Sequence, residues 1–360
     1  MAEKPRSEHI GQRKAEHLEI CTDPDSYAVE TGSTMLDDVQ LIHRSLPELN
    51  ADDVDTSSEF LGSRVALPCF ISSMTGGSAE AFKANKDLAR VAQEARIPVG
   101  MGSIRILFRN PDVIDHFQLK ALAPDVPVFA NIGGAQLRDR DNRTLLELLR
   151  RLEVDAVTVH LNPGQELSQP EGDRDFRGVL AGIARLCEEC TVPVIVKETG
   201  FGIGPDEAGA LIDAGAHYVD VAGSGGTNWM TVEGYRLSEP ARRVTDEFAG
   251  WGLPTAALLA ASRSLHGRIL ASGGLRTGMD VVKSVVLGAV SAGLALPFIR
   301  AVTEGGVEDG LALVERIRSV VRTAMVLTGS RTVADLRSVP YTTSPDLDRF
   351  VAALTRLDRV

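Results

Sequence analysis

Eight short apolar runs, each ending in a polar or glycine-rich loop and followed by a helical pattern, most tightly limit what this 360-residue chain can fold into. The runs occupy 69–73, 98–101, 126–131, 155–160, 193–198, 217–222, 268–272 and 289–294. Several are apolar at nearly every position, as in Pro193-Val194-Ile195-Val196-Lys197, which suits parallel strands covered on both faces. Apolar spacings of three or four predict helices over 79–95, 111–122, 143–152, 175–189, 206–214, 255–265 and 279–287, with 307–327 closing the series. Eight strand–helix units predict a (β/α)8 TIM barrel. An open doubly wound sheet would place Gly-x-Gly-x-x-Gly after its first strand, where this chain has Met74-Thr75-Gly76-Gly77. The expected organisation is an N-terminal extension, 1–67, belonging to the same domain as the barrel, 68–335, and a C-terminal tail, 336–360.

Composition narrows the function classes. No run approaches the roughly 18 apolar residues of a membrane span, and the first thirty residues carry charge where a signal peptide would be apolar. A cytoplasmic protein without a membrane partner is the expectation. A formal net charge of −11 disfavours a nucleic-acid partner, so an anionic substrate would need locally placed Arg and Lys. Cys21, Cys69, Cys187 and Cys190 are too few for a disulfide scaffold. The Cys187-x-x-Cys190 spacing, with no second pair or nearby His, reads as two thiols of a helix rather than a zinc site.

Barrel chemistry belongs at the carboxyl ends of the strands. There the runs deliver Ser72, Ser73, Met74 and Thr75; Ser103 and Arg105; Asn131; His160, Asn162, Gln165 and Glu166; Lys197 and Glu198; and Gly223 to Thr227. Turn formation explains the glycines but not so many polar residues on one rim. The last two loops, with Gly273-Gly274 and with Gly293, Leu294 and Ala295, stand where barrels commonly bind phosphate through backbone N–H groups. With Lys197 and Thr227 they suggest FMN over a bare sugar phosphate, although phosphate sites serve many barrels. His160 alone could be a hydrogen-bonded core residue, and its neighbours Asn162 and Gln165 favour a functional role. Glu16 and His17 read equally as an ordinary helix-surface pair. The long loop 223–251, with Trp229 and Glu233, suggests a lid or a subunit contact.

From Arg13 to Arg331 the chain resembles the type 2 isopentenyl diphosphate isomerases. The stretches that carry the resemblance are Arg13-Lys14-Ala15-Glu16-His17, Phe60-Leu61-Gly62, Ser73-Met74-Thr75-Gly76-Gly77, His160-Leu161-Asn162 with Gln165-Glu166, and Gln169-Pro170-Glu171-Gly172-Asp173-Arg174. Val196-Lys197-Glu198, Gly223 to Thr227 and Ser272-Gly273-Gly274 follow in family order. The resemblance implies interconversion of isopentenyl and dimethylallyl diphosphate with reduced FMN and Mg2+, NADPH only priming the flavin. It implies FMN contacts from Ser73, Met74, Thr75, Ser103, Asn131, Lys197, Thr227, Gly273, Gly274, Leu294 and Ala295. It assigns the prenyl diphosphate to Arg13, Lys14, Ser103, Arg105, His160, Asn162 and Gln165, Mg2+ to Glu166, and catalytic roles to Gln165, His160 and Lys197. An N-terminal segment that carries substrate-binding cations suggests a homo-oligomer. The main rival is a flavin-dependent 2-hydroxy acid oxidase, which needs a His base on the seventh-strand side. His266 precedes that strand, at the wrong end. A flavin or phosphate sensor without catalysis would be expected to lack Gln165 or Glu166, and both are present.

Overall fold

The computed structural model describes residues 6–74, 79–138 and 141–357. Its central sheet has eight strands, all parallel: β1 (Cys69–Ile71), β2 (Val99–Ser103), β3 (Val128–Gly133), β4 (Ala156–Leu161), β5 (Val194–Glu198), β6 (Tyr218–Asp220), β7 (Ile269–Leu270) and β8 (Ala292–Leu294). Consecutive strands are neighbours, and β8 pairs with β1 through Ala292↔Cys69 to Leu294↔Ile71. The remaining seam closes between β7 and β8, where Ala271 bridges Ala292 and the Val290 N–H donates to the Ile269 carbonyl at 2.8 Å. The predicted (β/α)8 barrel is the observed fold. Every apolar run holds its strand.

Two apolar regions hold the barrel together. The larger lies between strands and outer helices and takes strand residues such as Val157, Val159, Val196 and Val219, which alternate with residues of the opposite face. The smaller fills the lower barrel with Phe70, Phe129, Ile195, Tyr218 and Leu270. Phe60 closes it from below, from a hairpin of Ser58–Phe60 and Ser63–Val65. Both turn residues of that hairpin have positive φ, Leu61 at 50° and Gly62 at 75°, as a two-residue turn with matching strand twist demands. Phe60 stacks on Phe70 and Tyr218 at ring separations of 5.7 and 5.6 Å. The segment Phe60-Leu61-Gly62 is therefore a plug for the amino end of the barrel.

Several helices fall where the spacing puts them, among them Ala79–Ala95, Arg143–Leu152 and Gly278–Val286. Three expectations need correction. The segment 111–122 forms two 3-10 turns, Pro111–His116 and Leu119–Ala121, instead of one helix. It buries both Phe117 and Leu119, and positions two apart do not share a helix face. The closing helix starts at Leu296, not 307, and runs to Thr328 with a break at Gly306, where φ is 65°. Its first ten residues thus form a separate helical segment directly after β8. The supposed loop 223–251 contains the helices Trp229–Gly234 and Glu239–Asp246, the first capped by Asn228, whose side chain accepts from the Met230 and Thr231 N–H groups.

Chain ends outside the strands pack on the barrel as well. Val39–Leu41 pairs antiparallel with Tyr341–Thr343, the helix Pro345–Leu357 lies against Thr255–Ala261, and the N-terminal helix Arg6–Thr22 reaches the carboxyl mouth of the barrel. Among the described residues no helix is long and apolar enough to cross a membrane.

Phe60→Ala removes the plug and leaves a cavity beside the rings of Phe70, Phe129 and Tyr218. The expected loss of stability is about 3–5 kcal/mol, measured by urea unfolding of the purified protein.

Candidate active site

The carboxyl mouth encloses a cavity of about 250 Å³ to which every barrel strand or its following loop contributes. After β1, Ser72, Ser73 and Met74 line it, while Thr75, Gly76 and Gly77 lie outside the described residues. From β2 come Ser103 and Arg105, whose 3-10 turn is capped by the Ser103 hydroxyl accepting from the Arg105 N–H. Asn131 of β3 and His160 of β4 meet across the ladder, with Asn131 Oδ1 2.8 Å from His160 Nδ1. The short helix Pro163–Ser168 that follows β4 brings Gln165 and Glu166 beside Asn162. The Asn162 amide donates to Gln165 Oε1 at 2.9 Å and to Glu166 Oε1 at 3.2 Å. Lys197 of β5, Thr227 after β6, Gly273 and Gly274 after β7, and Ala295 after β8 complete the wall. Arg13 and Lys14 descend from the N-terminal helix, so the extension supplies part of the cavity.

Of the residues singled out in the sequence, Leu294 does not line this cavity. Its side chain is fully buried in the main core, and its carbonyl accepts from the Ser72 N–H at 2.9 Å. Gly273 and Gly274 do line it, with φ of 90° and 79°. Their lack of a Cβ serves the protein's own packing first: a Cβ on Gly273 would stand 2.1 Å from the Gly223 carbonyl oxygen, and one on Gly274 would stand 2.6 Å from that of Gly225.

The electrostatics are those of cations crowded out of water. Burial pushes the Lys14 ammonium down to about 7, and the nearby Arg13 and Arg105 charges push the same way. Burial also lowers Arg105, which Glu166 and Asp173 partly offset. His160 is driven down to about 3 by burial, then by Lys197, Arg105 and Lys14, so its imidazole is neutral near physiological pH. With Asn131 Oδ1 as acceptor, Nδ1 carries the proton. The arrangement stores an unfavourable charge balance that a bound polyanion would relieve.

A second cluster links residues that the sequence singled out separately but did not connect. Glu233, 1% exposed, accepts from the side-chain amides of Gln165 at 3.0 Å and Gln169 at 2.6 Å, and from Arg236 at 2.6 Å. His17 Nε2 lies 2.9 Å from the same carboxylate, and the His17 ring meets Trp229 edge-on at 5.3 Å. Although burial opposes ionisation, His17, Gln165 and Arg236 together hold Glu233 down at about 2. Arg236 also donates to Glu16 at 2.7 Å, and Arg13 donates to Gln169 at 2.7 Å. Glu233 thus ties the N-terminal helix, the β4 loop and the helix Trp229–Gly234 into one unit. Its only sequence signal was its position in the long segment after β6; His17 had only its place next to Arg13 and Lys14.

A mouth of this kind, on a closed parallel barrel, defines a (β/α)8 protein built to bind an anionic ligand such as a phosphate ester. The sequence pattern of the family described as FMN-dependent dehydrogenase matches residues 10–107 and 132–342. Proteins named isopentenyl-diphosphate delta-isomerase from Halobacterium salinarum and Borreliella afzelii are 42% and 40% identical over 339 and 334 residues, covering 91% and 92% of this chain and 92% and 93% of theirs. The Thermococcus kodakarensis protein of that name is 40% identical over 350 residues, covering 94% of this chain and 93% of its own. Among solved structures, a Pediococcus acidilactici putative lactate oxidase superposes with a TM-score of 0.64 at 17% identity, covering 95% of this chain and 96% of its own. A mandelate oxidase variant with a monooxide FMN adduct gives 0.62 at 20% identity, covering 91% and 92%. These two likenesses concern the fold. The chain belongs to the FMN-dependent dehydrogenase family and, within it, to the isopentenyl-diphosphate delta-isomerases.

The site fits FMN on its own geometry. Among the described residues the backbone N–H groups of Gly273, Gly274 and Ala295 have no protein acceptor, and the helix beginning at Leu296 adds the Leu296 N–H beside them, since Pro297 has none and Phe298 and Ile299 donate to the Ala295 carbonyl. The buried Ser72 and Ser73 hydroxyls also lack a protein partner. For a divalent cation the fit is narrower. Among the described residues no group of three or more His, Cys, Asp or Glu side chains is arranged around a metal position. Glu166 therefore stands as a single carboxylate, which suits a cation that takes its other oxygens from a diphosphate and water.

With Lys14 half-titrated at about 7, pyrophosphate binding should favour its ammonium form and take up a proton where the free protein lacks one. Calorimetry in buffers of different ionisation heat should report uptake approaching one proton at about pH 8 and little at about pH 6. Lys14→Met should abolish the difference.

Proposed function

We propose that the protein interconverts isopentenyl diphosphate and dimethylallyl diphosphate, using reduced FMN and Mg2+, with NADPH serving only to reduce the flavin. The observation that carries this reading is the convergence, in one cavity, of desolvated Lys14 and Arg105, the lone carboxylate Glu166 and the amide of Gln165. A hydroxy acid has one carboxylate to neutralise. This mouth offers more positive charge than that, and its two cavity-lining imidazoles, His17 and His160, stand away from the seventh-strand loop where the oxidase reading needs a base.

In this reading Ser73, Met74, Thr75, Ser103, Asn131, Lys197, Thr227, Gly273, Gly274 and Ala295 hold FMN, with the N–H groups after β7 and β8 on its phosphate. Reduced FMN supplies an electron-rich face able to stabilise a neighbouring cation and a nitrogen able to carry a proton. Arg13, Lys14 and Arg105 neutralise the diphosphate, Arg13 and Arg105 with planar donor forks and Lys14 as a point charge. Glu166 would hold Mg2+, which would supply further positive charge for the diphosphate. Ser103, His160 and Asn162 add hydrogen bonds, His160 as a neutral group.

Moving the double bond adds a proton to the terminal alkene carbon and removes one from the carbon on the other side of the branched centre, through tertiary-carbocation character. The amide of Gln165, held at its oxygen by Asn162 and at its nitrogen by Glu233, orients that exchange; it is not itself an acid. Leu18, Ile106 and Trp229 line the cavity and limit water, which would otherwise capture the cation. The Lys197 ammonium, facing the cavity, would favour negative charge on the bound cofactor. The N-terminal helix delivers Arg13 and Lys14 over the mouth, an arrangement suited to assembly into a homo-oligomer, with a cytoplasmic setting supplying the diphosphate and reductant.

Photoreduced, FMN-loaded protein with Mg2+ is expected to convert isopentenyl diphosphate to dimethylallyl diphosphate without stoichiometric NADPH consumption, followed by product chromatography. Hydrogen peroxide from lactate or glycolate, without isomerised product, would overturn the proposal. Glu166→Gln is expected to weaken Mg2+-dependent substrate binding by about tenfold or more while the flavin absorbance stays; loss of flavin instead would contradict the role given to Glu166.

A further inference from the structure

Inside the barrel, below the mouth, lies a second enclosed space of about 10 Å³. Its polar lining consists of Lys197, Asp220, Thr158 and Ser73, and its apolar walls include Phe70 and Phe129. Lys197 and Asp220 are register partners on β5 and β6, so they sit at one level of the barrel. Thr158 is 1% exposed, and its hydroxyl, like that of Ser73, has no protein partner among the described residues. Asp220, also 1% exposed, accepts from the Ser272 hydroxyl at 2.7 and 2.9 Å and from the Ala222 N–H at 3.3 Å. The Lys197 ammonium donates to the Glu198 carbonyl, which leaves it further protons to give.

Space for one water needs roughly 10–15 Å³ and two to four polar partners. This space has the volume and four such groups. Buried hydroxyls without partners also call for one. We propose that one buried water bridges the Lys197 ammonium to the Asp220 carboxylate, with Thr158 and Ser73 completing its shell, and that Asp220 acts through it as a positioning residue for the charge beneath the flavin. Burial leaves the Asp220 carboxyl raised on balance, although Lys197, the Ser272 hydroxyl and the Ala222 N–H oppose the rise; its anionic form rests on the geometry, with the Ser272 hydroxyl reaching both carboxylate oxygens and Lys197 at the same level of the barrel. As an anion it offsets part of the positive field of Lys197. The flavin then feels less than a full ammonium charge. This inference rests on the proposal that Lys197 faces FMN.

The test uses FMN-loaded protein. Asp220→Asn keeps the shape and removes the charge, and should make reduction of the flavin more favourable by on the order of tenfold. For a two-electron couple that is a rise in midpoint potential of about 30 mV, read by dye-equilibrated photoreduction. Thr158→Val, isosteric and without its hydroxyl, should move the potential the same way by a smaller factor, and it carries the test if Asp220→Asn does not fold. A crystal structure of the holoprotein should show one water within hydrogen-bonding distance of Lys197, Asp220 and Thr158. An unchanged potential in folded, flavin-loaded variants, or no water in that space, overturns the inference even if the wild type isomerises its substrate. Wild-type protein that takes up no FMN would instead overturn the reading on which it rests.

Discussion

Positive charge held out of water is the constraint around which the molecule is arranged. Lys14, Arg105 and Lys197 share one mouth with His160, and burial together with mutual repulsion drives Lys14 and His160 toward their neutral forms. Such a cluster is costly in the empty protein and favourable once a polyanion enters. The barrel makes it possible: strands ending on one rim hold the donors in place, while the aromatic plug of Phe60, Phe70, Phe129 and Tyr218 stabilises the opposite end by ring packing. Stability and chemistry are thereby kept at opposite ends of the barrel.

The carboxylate of Glu233 balances part of that charge. By taking hydrogen bonds from Gln165, Gln169 and Arg236, with His17 beside it, it fixes three elements that are far apart in the chain. The N-terminal helix is thus part of the wall of the cavity. Gln165, bound at both ends of its amide, has one orientation available, which matters for a group that must direct a proton without supplying it.

The likeness to mandelate and lactate oxidases concerns the shared barrel alone, and the matched family is described as dehydrogenases. Neither specifies the reaction. What sets this mouth apart is its lining: clustered cations, a single carboxylate and an amide. The same scaffold accommodates either chemistry because the strands fix the rim and the loops supply the groups.

The eight strands could be read directly from the chain, because strands buried on both faces leave uninterrupted apolar runs and the residues ending them must lie on one rim. That logic reached His160, Asn162, Gln165, Glu166 and Lys197, and their convergence on one cavity follows from strand direction alone. It misjudged 111–122, whose helical spacing gives way to two 3-10 turns, and 223–251, read as a loop but holding two short helices, and it missed the start of the last helix at Leu296. The sequence could not determine the pairing of Glu233 with Gln165 and His17, the level shared by Asp220 and Lys197, or the protonation of Lys14 and His160. These depend on distances between residues remote in the chain and on exclusion of water, and neither exists until the barrel has closed.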